Sequence, residues 1–209
     1  MSKIVVFGEN LNDSKAIKEL VLHLCPSILD RDVVVLREPP TLQRGTSSEG
    51  VRTWSQRAKA AIEAASAVRG SPVCVLVHTD SDGPGGVVFA QERTRELQQG
   101  GLSEAHAVVP AESIESWWLL HPAATEAVVP SWRGALKAKP GEVDRISSPK
   151  SELIRLTRRK QPKRAYEEAD SPDIAARIRA TTAQPAGASP SWDAFAEVVA
   201  ECCKKASAA

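Results

Sequence analysis

Val73-Cys74-Val75-Leu76-Val77-His78-Thr79-Asp80-Ser81-Asp82-Gly83 is an apolar, valine-rich run that ends in two carboxylates and a glycine. The part from Val73 to Val77 has no polar alternation, which is the pattern of a strand covered on both faces. Residues two apart on an extended chain point to the same side. Asp80 and Asp82 therefore form a pair just past the end of the strand. Such a pair can share a hard cation such as magnesium. Asp, Ser and Gly are also what a tight turn uses, and the residues alone leave both readings open.

Upstream, Gly70-Ser71-Pro72 closes an Ala-rich segment, residues 51–68, with Trp54, Ala58, Ala61, Ile62 and Ala65 at helical spacing. Before it, Val33-Val34-Val35-Leu36 predicts a strand. Residues 37–50, with Pro39-Pro40 and Gly45, predict a surface loop. Ile4-Val5-Val6-Phe7 predicts the first strand and Gly8 to Asp13 a turn. Residues 14–24 follow as a helix, capped by Asn12 or Asp13 and ended by Pro26. Downstream, residues 87–99 predict a helix stopped by Gly100-Gly101, and residues 105–110 a fourth strand. Residues 112–120 predict a helix with Glu112 and Glu115 on neighbouring parts of one face.

Strand and helix alternate at spacings long enough for crossovers. This predicts an α/β fold with a mostly parallel, Rossmann-like four-stranded sheet and helices on both faces. Ligands bind such sheets beyond the carboxyl ends of the strands. Glu9 follows the first strand, and Asp80 and Asp82 follow the third, so parallel pairing puts all three carboxylates on one rim. The connection after the fourth strand brings Glu112 or Glu115 toward it. Residues 1–130 make up this expected core. Residues 131–209 make up a C-terminal helical extension, packed on the core as one structural unit. Residues 131–149 show no periodicity; helices then open near Pro149, Pro172 and Pro190. The last of these carries Trp192, Phe195, Val199 and Cys202 on its apolar side.

The 209 residues are 42% hydrophobic and 25% charged, ordinary values for a globular chain with its own core. No apolar run nears the roughly 20 residues of a membrane span. Met1-Ser2-Lys3 runs directly into a strand, so no signal peptide is expected. Cys25, Cys74, Cys202 and Cys203 lack CxxC spacing, so the expectation is reduced thiols in a cytoplasm, not zinc or a disulfide framework. The net charge of +1 conceals an uneven spread. Residues 150–164 hold seven basic side chains against Glu152 alone, a net of +6, which leaves −5 for the remainder. A basic segment beside an acidic body is a candidate phosphate-binding surface or a solvated one.

Gly8-Glu9-Asn10-Leu11-Asn12-Asp13 after a strand resembles the first motif of Toprim domains, and Asp80-Ser81-Asp82 resembles their Asp-x-Asp motif. Three later segments extend the likeness: Ile114-Glu115-Ser116-Trp117-Trp118-Leu119-Leu120, Pro149-Lys150-Ser151-Glu152-Leu153 and Trp192-Asp193-Ala194-Phe195. In order and spacing they are similar to a branch of small prokaryotic Toprim-like proteins related to the nuclease domains of OLD-type proteins. The resemblance spans nearly the whole chain. It departs from the family at Asn10, where Toprim domains usually carry Gly, and at the polar strand end His78-Thr79. It implies a Toprim fold with Glu9 as a general acid/base or metal-positioning group. It implies Asp80 and Asp82 as ligands of Mg2+ or Mn2+. Glu115, rather than Glu112, is then the further acidic residue beside the metal.

Phosphodiester hydrolysis loads charge onto the attacking and leaving oxygens, and divalent ions held by carboxylates stabilise it. The single tyrosine, Tyr166, and the lack of a second DNA-gate domain argue against a topoisomerase. No template-binding module is visible, which argues against a primase. The expectation is a metal-dependent Toprim-type nuclease on nucleic acid, with Lys150, Arg155, Arg158, Arg159 and Lys160 along the backbone. Family analogy adds phage defence or a mobile element. The alternative is a non-catalytic binding or regulatory module acting with a partner such as an ATPase. The chain itself has no P-loop, because Gly83 to Gly86 lacks the Lys-Ser/Thr ending. Trp117 and Trp118 are expected to pack beside the sheet rather than stack on bases. Tyr166, His23, His78, His106 and His121 are expected to be structural.

Overall fold

A computed structural model of the chain describes residues 3–39, 42–69, 71–83, 85–136, 142–158 and 164–208. Among the described residues the strands are β1 (Lys3–Phe7), β2 (Val33–Val35), β3 (Pro72–His78) and β4 (Ala105–Val108). All pair in parallel, in the order β2-β1-β3-β4. Helix α1 (Leu11–Leu24) joins β1 to β2, α2 (Ser48–Arg69) joins β2 to β3, and α3 (Gly86–Gln99) joins β3 to β4. This is the α/β, Rossmann-like sheet that the alternating pattern predicts.

Side-chain alternation sorts each strand between two cores. Ile4, Val6, Cys74, Leu76 and Val108 meet Ile17 and Leu20 of α1 in the larger one. Val5, Phe7, Val75, Val77, Ala105 and Ala107 meet Trp54 and Ala58 of α2 and Leu97 of α3 in the other. With both faces covered, the strands need no polar side, which explains the unbroken apolar runs. The α1 crossover lies on one face and those of α2 and α3 on the other. The chain therefore winds outward in opposite directions from the β1–β3 pair. That reversal leaves a crevice at the carboxyl ends of β1 and β3.

Beyond the sheet lie α4 (Glu115–Leu120), α5 (Pro122–Glu126), α6 (Pro149–Thr157), α7 (Ser171–Thr181) and α8 (Pro190–Ala208). Helix α7 runs along α1, and α8 lies against β3, β1 and α1. Trp132, Leu153, Tyr166, Ile174, Trp192 and Phe195 all belong to the larger core. Trp117 stacks on Phe195 at 5.0 Å and meets Trp192 edge-on at 5.4 Å. Trp117 and Trp118 are fully buried, so they pack beside the sheet and do not face solvent.

Three expectations need correction. Helix α1 begins at Leu11, and its cap is Asn10, whose Oδ1 accepts from the backbone N–H of Asn12 at 2.8 Å and Asp13 at 3.0 Å. Helix α4 begins only at Glu115, because Glu112 sits in the left-handed region with φ +60°. Glu112 and Glu115 therefore do not share a helix face. The cysteines are paired rather than reduced: Cys25 with Cys203 and Cys74 with Cys202. Consecutive residues of α8 are thus tied to the end of α1 and to β3. Among the described residues no helix is long and apolar enough to cross a membrane.

Candidate functional site

Three turns meet at the reversal point. The first follows β1. Gly8 is required there, since a Cβ would lie 2.7 Å from the backbone nitrogen of Ser14 in the first turn of α1. Glu9 then reaches across to the β3 turn. Its Oε1 accepts from Thr79 Oγ1 at 2.9 Å and from the backbone N–H of Asp80 at 3.0 Å. In the second turn Asp82 adopts φ +46°, and its N–H donates to Glu112 O at 3.0 Å. The third turn answers: Glu112 N–H donates to Ser81 Oγ at 2.7 Å. Two non-glycine residues in left-handed geometry therefore brace each other across the rim. Such residues persist only where their surroundings hold them, and they concentrate at functional sites.

Asp80 lies at the middle of this junction. Its Oδ1 is buried without a hydrogen-bond partner and stands 3.5 Å from Nε2 of His78. His78 is fully buried, and burial pushes its imidazole down to about 3, so it stays neutral and supplies no countercharge. Burial, then the charges of Glu9, Glu115, Asp13 and Asp82, push the Asp80 carboxyl up to about 9. Asp13, in the first turn of α1, is pushed up to about 7 by burial, then by Glu115 and Glu9. Asp13 also accepts from Nδ2 of Asn10 at 2.7 Å. The rim is thus acidic enough to push Asp80 well above, and Asp13 up to, the neutral range.

Glu115 opens α4 and is buried. It accepts from Ser113 Oγ at 2.6 Å and from Tyr166 OH at 3.0 Å. Tyr166 OH also contacts Ser171 Oγ at 2.8 Å, to which Trp118 Nε1 donates at 3.1 Å. Burial and then the Glu115 charge push the tyrosine above its usual range, so it remains a hydrogen-bond donor. The extension thereby fixes a carboxylate of the rim.

Positive charge borders the acidic cluster on two sides. Lys150, exposed at the start of α6, pairs with Glu168 and is held above the usual ammonium range by that bond, with Glu115 and Asp80 adding to it. Arg44, from the loop after β2, donates to the carbonyl of Ser81. Its guanidinium and that of buried Arg93 lie over the ring of Phe89 at 5.7 and 5.1 Å.

Glu9, Asp80, Asp82 and Glu115 lie on one rim, as the topology predicts, and Glu9 contacts Asp80 directly. They do not converge tightly. Among the described residues, the group of His, Cys, Asp or Glu side chains whose ligand atoms all lie within 4.8 Å of one another is Cys74, His106 and Cys202, not the rim. The basic stretch is less free than its charge suggests. Lys150 is paired with Glu168, Arg155 with Glu152 at 2.7 Å, and Arg164 with Asp170 at 2.6 Å. Arg158 is exposed, and Arg159 and Lys160 lie outside the described residues. The sequence reading missed Arg44 and Glu168 at the rim and took Asp13 only as a cap. It read His78 as structural, and the structure sets it against Asp80. The chain matches no protein-family model, curated protein or solved structure. Any function must therefore be argued from this rim.

Proposed function

We propose that the chain is a divalent-metal-dependent phosphodiester hydrolase on nucleic acid, a Toprim-type nuclease. The observation that carries the proposal is Asp80, a half-buried carboxyl whose Oδ1 is buried without a hydrogen-bond partner at the sheet's reversal point, surrounded by other carboxylates. A carboxyl so placed needs a proton or a cation. Oxygen-only donors fit Mg2+ or Mn2+ rather than softer metals. Magnesium keeps several waters and takes one or two carboxylates, which fits a rim whose oxygens do not close into a cage. Asp80 and Asp82 would hold the ion, with Glu9 beside them. Bound there, the ion would stabilise charge on the attacking and leaving oxygens.

The remaining roles belong to side chains. Glu9, its Oε1 set by Thr79 and the Asp80 N–H, would accept or return a proton at the reacting oxygen. Lys150 would exchange its exposed partner Glu168 for a phosphate oxygen, because exposed ion pairs contribute little. Arg155 of α6 and Arg158 just past its end, with Arg159 and Lys160 next in the chain, would follow the backbone. Phage defence, a mobile element and a cytoplasmic setting remain proposals by analogy.

The test incubates purified protein with supercoiled plasmid and single-stranded DNA, with magnesium or manganese, beside Asp80→Asn/Asp82→Asn. Cleavage by the wild type, reduced at least about a hundredfold in the variant, is the expected result. Equal cleavage by both would overturn the reading. A second reading is favoured by one observation, that the rim's ligand atoms do not gather within 4.8 Å of one another. It is a non-catalytic module that binds a metal–phosphate ligand or a partner ATPase. Calorimetric metal binding by the wild type, lost in the variant and without turnover of either DNA, would select it.

A further inference from the structure

A second cluster lies across the sheet from α2 and α3. Cys74 of β3, His106 of β4 and Cys202 of α8 present Sγ, a ring nitrogen and Sγ all within 4.8 Å of one another. The register pairs Leu76 with His106, which sets the imidazole on the Cys74–Leu76 side of the sheet, the side that α8 covers. Both cysteines are fully buried, while His106 is not. His106 lines a cavity of about 490 Å³ between α3, β4 and α8, together with Thr94, Phe195 and Glu201. The cluster therefore has a buried cysteine pair, joined here as a disulfide, an imidazole and a path to solvent.

We propose that Cys74, His106 and Cys202 form a binding site for a borderline metal such as zinc when the Cys74–Cys202 disulfide is reduced. Two thiolates and one imidazole are a common zinc ligand set, and three protein ligands leave a fourth position for water. Tetrahedral bonds of about 2.3 Å to sulfur and 2.0–2.1 Å to nitrogen put ligand atoms roughly 3.5–3.8 Å apart, below the 4.8 Å limit of the cluster, and the two sulfurs, bonded here, must separate to that distance once reduced. The cavity at His106 supplies the entry path and room for the water. The exchange balances. A dithiol reductant gives two electrons and two protons to the disulfide, becomes a disulfide itself and leaves two thiols. Zinc then displaces the two thiol protons. The disulfide and the metal are alternative clasps joining β3 to α8, and only the metal also draws in β4.

The test uses the full chain, reduced with a phosphine and titrated anaerobically with Co2+ as the probe. The expected result is one equivalent bound, with thiolate-to-cobalt charge-transfer absorption and the visible bands of a tetrahedral site, displaced by Zn2+. His106→Ala should weaken binding at least about tenfold. Cys25→Ser/Cys203→Ser, which leaves the proposed ligands in place, should keep the bands, as should Asp80→Asn/Asp82→Asn. The oxidised chain should show none. No thiolate bands in the reduced chain, unchanged affinity in His106→Ala, or loss of the bands in Cys25→Ser/Cys203→Ser would each overturn the proposal.

Discussion

At the scale of single residues, Asp80 makes a stability prediction that is independent of catalysis. Its folded value of about 9 and that of Asp13 near 7 both lie above the ordinary 3.8. Between those limits the folded chain binds more protons than the unfolded one. The metal-free protein should therefore lose stability as pH rises from about 4 to 9. Asp80→Asn mimics the protonated state and should flatten that slope. At pH 8 it should raise Tm by a few degrees, the shift that about 1 kcal/mol produces at this chain length. Magnesium should protect the wild type more at pH 8 than at pH 6, since only the ionised carboxylates bind it. Melting curves across pH, with and without chelator, check all three. A wild type whose Tm climbs from pH 5 to 8 without metal would refute the assignment. That Asp80 and Asp82 stand together in the turn after β3 is legible in the sequence, but the same-side extended spacing is not kept, because β3 ends at His78 and Asp82 is left-handed. Asp13 and His78 are not legible, because what distinguishes them is burial in the folded chain and, for Asp13, the charge of distant Glu115, which no local pattern records.

At the scale of elements, strands and their faces were the most readable part. An apolar run such as Val73 to Val77 has few alternatives, and its alternation between Cys74–Leu76 and Val75–Val77 follows from pleat geometry. Helix starts were less readable. Asn10, Asn12 and Asp13 are all good caps, and only the extended backbone at Asn10 selects among them. Glu112 looks helical in sequence, yet Ser81 Oγ claims its N–H and turns it left-handed. The net charge of the basic segment was only partly readable for a related reason. Glu168 and Asp170, which neutralise Lys150 and Arg164, lie just past its end in sequence. The coupling of α4 to the extension through Tyr166 is testable. Tyr166→Phe removes the donor to buried Glu115 and should cost about 1–3 kcal/mol. Urea denaturation measures it, and a loss under a few tenths of a kcal/mol would show that the extension does not hold Glu115.

At the scale of the whole molecule, the division at residue 130 marks a change in sequence character but not a gap in packing. Trp132, Leu153, Tyr166, Ile174, Trp192 and Phe195 fill the same core as Ile4, Leu76 and Trp117. A chain ending at residue 130 should therefore fail to unfold cooperatively and should bind hydrophobic dyes; a sharp calorimetric transition from that fragment would contradict this. The same arrangement bears on how the protein is made. Helix α8 covers β1 and β3 but is synthesised roughly 80 residues after β4, about 4–16 s later at ordinary elongation rates. For that interval the nascent chain carries one finished sheet face and one covered by α1 without α8, with Cys25 and Cys74 awaiting partners not yet exposed. Premature pairing of those two cysteines with each other, or capture by a chaperone of the part of that face that α8 will cover, is then the main hazard of biosynthesis.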